Sequence, residues 1–554
     1  MGTERAARAL LPLLLAGIAG AALAQGAGGA TGDAVLGRRL YVDGLRPDGQ
    51  PLVGLRSDGV QVSGAQAACA QCHRASGAGG AEGTVWIPPV AGPLLFAPAR
   101  AVTGRTPRRA AGLQHAEPAS KVRGAYTLDS LQRALVDGHG PGGAPLGYLM
   151  PRYALSAAEI THLVAHLDTL TIGQAPGVDA QHLWLATVVA DTAPPAQQQA
   201  LVDILQRCVA ERSPRGASTD AGDAAIQATI RPWRLEVWTL HGPPEGWPAQ
   251  LAEYAQRRPV FALVSGLTGD AWAPVQRFCE ARALPCAFPN TVAVDPQAPG
   301  HWTMHLSLGI AAEVAALVEH LSETQGSGPQ PKVRQVVSDS EASRLAARLL
   351  RERLSRLGWP MAADEGVDEA PGAAVASAVG DEAVPVLWLE PEPLRRYTTQ
   401  TPAPAGPLYL SGALGGLESA PLASAWRDQA HMLYPYEHAD RRVGRMLLNA
   451  GGWMQRNGLT PSAELILLQG NTYSACEMIA RALHIMRERY SRAYFMELLE
   501  GSAEGALATA FPRFTLGAHQ RHGSRGAYVM RYDATAADGG RTHLHRVSDW
   551  LTER

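Results

Sequence analysis

Lysine is almost missing from this chain of 554 residues: Lys121 and Lys332 are the only two, and the remaining basic charge is arginine. Acids and bases nearly cancel to a formal net charge of −2, so the basic footprint of a nucleic-acid binder is absent. Beyond the N-terminal stretch there is no apolar run of the roughly 20 residues that a membrane-spanning helix requires. Histidines and acids form no cluster that reads as a second metal site, and no nucleophile stands beside a base. The composition therefore argues against an enzyme with its own acid–base or hydrolytic centre. A chain this long holds more than one core, since single domains mostly run to about 100–200 residues.

What is present begins with an address. Arg5 and Arg8 precede an apolar stretch, Ala9 to Ala24, that ends in the small-x-small site Ala22-Leu23-Ala24. This predicts a signal peptide over 1–24, a flexible glycine-rich leader over 25–32 and export to the periplasm, with an uncleaved anchor as the alternative.

Cys69-Ala70-Gln71-Cys72-His73 is the one C-x-x-C-H in the sequence. Two thiols three residues apart on one helical turn can each form a thioether to a porphyrin edge, and the next residue can supply a proximal imidazole. A zinc or redox C-x-x-C is the competing reading. Downstream stands Gly147-Tyr148-Leu149-Met150-Pro151-Arg152-Tyr153, then Ser156 as N-cap of a helix expected over 157–170. A thioether opposite an imidazole gives a six-coordinate iron suited to electron transfer. His115 and His139, in polar loops, compete with Met150 as sixth ligand. An early helix over 35–42 places Gly37 and Tyr41 one turn apart, and the glycine allows a close crossing with the late helix, where Leu163 and Leu167 form an apolar stripe.

These residues carry a resemblance. From about Asp33 to Thr171 the chain resembles a class I cytochrome c, an all-α fold, and is most similar to the cytochrome modules of periplasmic dehydrogenase chains. The resemblance implies one covalent haem c on Cys69 and Cys72, with His73 and Met150 as axial ligands of the iron. A carbonyl near Pro88 or Pro89 would orient His73. Where the family usually has an aromatic residue in the last helix this chain has His166, which is expected to loosen that contact. The usual lysine ring for acidic partners is missing; Arg105, Arg108, Arg109, Arg123 and Arg152 are its candidate replacements.

Past a linker at 173–180 the pattern changes. The run His182 to Asp191 reads as a buried parallel strand, and strands alternate with helices as far as about Arg489. The region 181–554 resembles the type I periplasmic binding proteins of the Leu/Ile/Val and amide group. The stretch Pro259 to Gly269, Val384 to Leu389, Gly406 to Gly412 and Phe511 to Gly517 carry the likeness. The resemblance implies a two-lobed α/β clamshell that captures an amino acid or a small aromatic or amide solute. Candidate ligand contacts are Ser265 and Thr268, with Tyr409, Ser411 and Tyr473 from the second lobe; Asp270, as a helix cap, weighs against an anionic ligand. The alternative is a degenerate clamshell kept as a docking platform. Cys279 and Cys286 are candidates for a local disulfide in an oxidising compartment. Cys208 and Cys476 read as buried thiols acting as small hydrophobes.

The expected architecture is thus multidomain, a cytochrome c over 33–172 followed by the clamshell. The expected function is one-electron transfer from a periplasmic dehydrogenase toward an oxidase or another cytochrome. A solute-binding protein with a haem-based sensory module is the alternative.

Overall fold

The computed structural model describes residues 32–82, 85–98, 123–213, 231–269, 271–325, 328–367, 383–502, 510–518, 520–533 and 544–553. The expected signal peptide, most of the leader, Arg105, Arg108, Arg109, His115 and Asp270 lie outside them. No helix among the described residues is long and apolar enough to cross a membrane.

The first unit is built on two helices that cross. Asp33 caps Ala34–Arg38 by accepting from the Val35 and Leu36 amides, and the helix continues as a π turn, Arg39–Asp43. Its partner, Ala157–Leu167, starts with a capping box between Ser156 and Glu159. Arg46 adds a two-pronged ion pair to the Glu159 carboxylate at 2.8 and 2.9 Å. The helices meet at Gly37, where a Cβ would lie 2.0 Å from the His162 carbonyl oxygen, so no larger residue fits this crossing. His166 packs its ring 5.2 Å from that of Tyr41 and is itself buried. The contact expected to be loosened is therefore kept, with imidazole doing the packing of an aromatic ring.

Short strands complete this unit. β1 (Val53–Leu55) pairs antiparallel with β2 (Gln61–Ser63) and with β5 (Arg152–Tyr153), while β3 (Gly80–Glu82) and β4 (Val85–Ile87) form a hairpin. A helix over Leu128–Val136, which the sequence reading passed over, is closed by a capping box of Thr127 and Ser130.

From Leu183 the chain builds two larger sheets. The first contains β6 (Leu183–Ala190), β7 (Trp233–Leu240), β8 (Ala262–Val264), β9 (Cys286–Ala287), β10 (Thr303–Ser307) and β16 (His522–Ser524). Its order is β16-β10-β9-β8-β6-β7, all parallel. Seven of the eight residues of β6 are buried, as its apolar run requires of a strand covered on both faces.

The second sheet holds β11 (Val333–Val337), β12 (Glu365–Gly366), β13 (Val384–Trp388), β14 (Leu408–Ser411), β15 (Ala430–Tyr434), β17 (Gly526–Tyr532), β18 (Leu544–Arg546) and β19 (Leu551–Thr552). It is mixed: β12 to β15 run parallel, and β17 joins β15, β18 and β19 antiparallel. The chain passes from the first sheet to the second through the helix Ile310–Gln325 and returns after β15. It crosses again between β16 and β17. Helix Ile466–Met486, belonging to the return, packs on helix Pro195–Arg212 of the first lobe. The chain is thus multidomain, a small helical unit followed by two α/β lobes.

The two helices of that packing correct one reading. Cys208 and Cys476 are not free thiols: they form a disulfide, with Cα atoms 6.6 Å apart. Both are buried as expected, and the helices that carry them pack together. Cys279 and Cys286 are also bonded, leaving Cys69 and Cys72 as the free cysteines.

One edge of the first sheet carries a pair of buried histidines. His305 on β10 lies opposite His522 on β16, their rings stacked 5.5 Å apart at 12°. Burial holds His305 down to about 3 and His522 to about 4; repulsion from His522 adds to the first effect, and repulsion from Arg521 and Arg525 to the second. Both are therefore neutral in the folded protein at pH 7. Below about 6.5 the unfolded chain takes up these protons first, so stability falls as pH drops from about 6.5 toward 4. Every tenfold loss of proton affinity on folding corresponds to about 1.4 kcal/mol. His305→Leu should lose several kcal/mol of this pH dependence, measured as the difference between the two proteins' denaturation midpoints across that range. Parallel curves would refute the assignment.

Candidate functional site

The helical turn Ala70–His73 carries the C-x-x-C-H, with the His73 amide bonded to the Cys69 carbonyl at 2.9 Å. That turn places both thiols one turn apart, ahead of His73. Desolvation pushes the Cys69 thiol up to about 12 and raises Cys72, to which the nearby Glu82 carboxylate also contributes. A structural zinc site needs four donors, and two thiols alone do not make one. Nor do the described residues contain any group of three or more His, Cys, Asp or Glu side chains placed to hold a metal ion.

His73 is buried, and its Nδ1 lies 2.9 Å from the Pro88 carbonyl oxygen. A proton on Nδ1 donated to that oxygen leaves Nε2 as the free lone pair, the arrangement that orients a metal-bound histidine. Burial lowers the His73 pKa, keeping the ring neutral and able to ligate. The loop returning to Pro88 is tight: Gly79, at φ +72°, would put a Cβ 2.3 Å from the Ile87 carbonyl oxygen.

Met150 is partly buried in the same apolar cluster as Cys69, Tyr41 and Tyr153. Its segment is held from both sides. Tyr153 pairs with Gly54 across β5 and β1, and its hydroxyl donates to the Ala67 carbonyl at 2.9 Å, two residues before Cys69. Arg152 reaches back to the Met150 carbonyl. His139, by contrast, is an exposed loop residue in a bridge to Pro145. Free thiols on one turn, an imidazole with its outer nitrogen engaged, and a thioether in the same cluster are a donor set that fits haem c.

The five candidate ligand contacts of the α/β region are not gathered in one place. Ser265 is fully buried at φ +55°, and its Oγ accepts from Asn290 Nδ2 at 2.9 Å. Asn290 also donates to Thr472 Oγ1 at 3.3 Å, so the residue beside Tyr473, not Tyr473 itself, turns toward Ser265. Tyr473 packs against Trp453 with ring centres 5.0 Å apart and the planes tilted by 37°. Thr268 is buried, and its Oγ1 has no hydrogen-bond partner; Asn290 Oδ1 and Asn471 Oδ1 share that condition.

Tyr409 packs among His320 and His431 in the second lobe's core. Ser411 is buried too, donating to Glu313 on the crossover helix and accepting from the Leu414 amide. Glu313 also accepts from the Ala413 amide at 2.8 Å, and desolvation lifts its carboxyl to about 8. Asn290, Thr472 and Glu313 escaped the sequence reading. Only Glu313 left a signal there, as a lone acid in the apolar run Ile310 to Leu317.

No curated protein matches this chain in sequence. Among solved structures it is similar to a branched chain amino acid ABC transporter from Thermus thermophilus with bound valine. The identity is 13%, covering 68% of this chain and 98% of that one, with a TM-score of 0.48. A fatty acid ABC transporter substrate-binding protein from Thermomonospora curvata is similar at 13% identity over 69% of this chain and 95% of its own, with a TM-score of 0.47. The family model for cytochrome c matches residues 57–171, the stretch that holds Cys69, Cys72, His73 and Met150, and this part of the chain is a cytochrome c domain.

Proposed function

We propose that the protein is a periplasmic, monohaem c-type cytochrome that passes single electrons between partner proteins in a dehydrogenase-linked respiratory chain. The reading assigns 1–24 to a signal peptide, 33–172 to the cytochrome and 181–554 to a solute-binding or docking clamshell. The observation that carries it is the free Cys69–Cys72 pair on one turn, followed by a buried His73 whose Nδ1 is engaged by Pro88. Cys69 and Cys72 would hold the haem covalently; His73 and Met150 would ligate its iron. When bound, the haem supplies reversible one-electron chemistry.

The chain's own residues do the rest. Pro88 fixes the tautomer of His73, the β1–β5 pairing fixes the Met150 segment, and the Gly37 crossing closes the unit. Docking in place of a lysine ring falls to apolar residues: Val53, Leu55, Val60 and Tyr148 are exposed, and Ser57 ties that loop to the Tyr148 carbonyl. With His73 and Met150 as ligands both axial positions would be filled, which speaks against a sensory role, since that needs a labile sixth ligand.

The purified protein should keep its haem through acid–acetone extraction. Met150→Ala should lose the thioether-to-iron charge-transfer band of the oxidised protein and lower its potential, within the ~0.8 V over which axial ligands act. A band that survives the substitution removes Met150 from the ligand set. For the clamshell, an amino-acid-like or small aromatic solute should raise the melting temperature, about 2.7 kcal/mol of stabilisation at a hundred times its Kd. Ser265→Ala with Thr268→Ala should abolish that rise. A broad screen without any rise would leave the docking role.

A further inference from the structure

The polypeptide that follows His73 is gripped by the α/β region. Ser76 is buried, and its amide and hydroxyl donate to the two oxygens of Glu497 at 2.8 and 2.6 Å. Glu497 lies on the helix Arg492–Glu500, 421 positions away in sequence. The same helix touches the loop elsewhere. Arg74 stands over the Tyr494 ring at 5.8 Å, and Ala78 and Ala91 belong to one apolar cluster with Phe495, Leu498 and Leu499. Just before the helix, Arg489 lies 5.3 Å from the Trp86 ring centre, and the Tyr490 carbonyl accepts from the Gly173 amide.

Both limbs of the loop that orients His73 are therefore held: Ser76 on the limb leaving it, Trp86 and Ala91 on the limb carrying Pro88. The far end of the grip is equally fixed. Arg492 donates to the carbonyls of Val260, Phe261, Arg282 and Ala283, and Phe495 meets Phe261 edge-on at 5.5 Å. Val260 and Phe261 lead straight into β8, at whose end stands Ser265.

From this geometry we infer that Glu497 is a positioning residue for His73, through which the α/β region sets the reduction potential of the haem domain. The inference rests on the haem c reading above. Groups that hydrogen-bond around a metal ligand fix its orientation and tune the metal's potential. Glu497 does this one step removed, by clamping the loop whose carbonyl holds the imidazole. Without it, the amide and hydroxyl of a buried serine lose their partners and the loop is free to shift.

The test uses the full-length holoprotein with Ser76→Ala, Glu497→Ala, both together, and Glu497→Gln. Spectroelectrochemical titration and the paramagnetically displaced proton resonances of the oxidised protein are the readouts. Each alanine variant should shift the reduction equilibrium several-fold and move the His73 resonances. The double variant should go no further than Glu497→Ala alone, because both act through one contact. Glu497→Gln, which keeps an acceptor for the Ser76 amide, should restore part of the effect. Should Glu497→Ala fail to yield holoprotein, Ser76→Ala and Glu497→Gln decide the matter. A normally haem-loaded wild type with unmoved potentials and resonances in the variants overturns this inference alone, leaving only an interdomain contact. A wild type without covalent haem overturns the reading beneath it as well.

Discussion

Cys69→Ala together with Cys72→Ala should abolish covalent haem completely, leaving a polypeptide of apoprotein mass after denaturing extraction. The argument is one of elimination as well as geometry. The chain has six cysteines, and four of them are occupied in the Cys208–Cys476 and Cys279–Cys286 disulfides. No other thiol is left to form a thioether. Either single variant should keep one bond and so retain haem through extraction, with an altered absorption maximum in the reduced alkaline pyridine derivative. Covalent haem in the double variant would sink the assignment.

Loss of the Cys208–Cys476 disulfide should be the most damaging change to the α/β region. It closes a loop of 268 residues, and chain entropy gives such a link about 5.6 kcal/mol. The Cys279–Cys286 bond spans seven residues and is worth about 2 kcal/mol on the same basis. Domains are commonly stable by only about 5–15 kcal/mol, so the long-range bond is a large share of what holds this region folded. Cys208→Ala with Cys476→Ala should lower the denaturant midpoint of the region far more than Cys279→Ala with Cys286→Ala. Equal midpoints for the two variants would show that the long loop is restrained by packing alone.

The sequence was most legible where chemistry is local. The haem attachment turn lies within five consecutive residues, and Met150 is marked by the proline beside it and the capped helix that follows. The strand β6 was legible because its apolar run is nearly continuous, and β7 because Trp233, Leu235 and Val237 alternate with Arg234 and Glu236; β8, β9, β11, β13 and β14 were legible too. Other strands were not. β10 interleaves Thr303, His305 and Ser307 with apolar residues, and all five of its positions are buried, so its polar residues masked a core strand. β15 and β17 were missed as well. The start of the helix Ile466–Met486 was not legible, because Gln469, Gly470, Asn471 and Thr472 look like a loop yet are buried inside it.

By itself, then, the sequence determined the C-x-x-C-H turn, the candidate proximal and distal donors, the order of a helical unit before an α/β region, and the glycine at the helix crossing. Each depends on residues close in the chain, where spacing alone fixes which side chains share a turn or a face. Tertiary structure alone decided that Cys208 meets Cys476, that Thr472 rather than Tyr473 turns toward Ser265, that Ser411 is taken up by Glu313, and that Glu497 holds Ser76. Those contacts join residues up to 421 positions apart, and no local periodicity can encode a partner that only the packing of whole lobes brings within hydrogen-bonding distance.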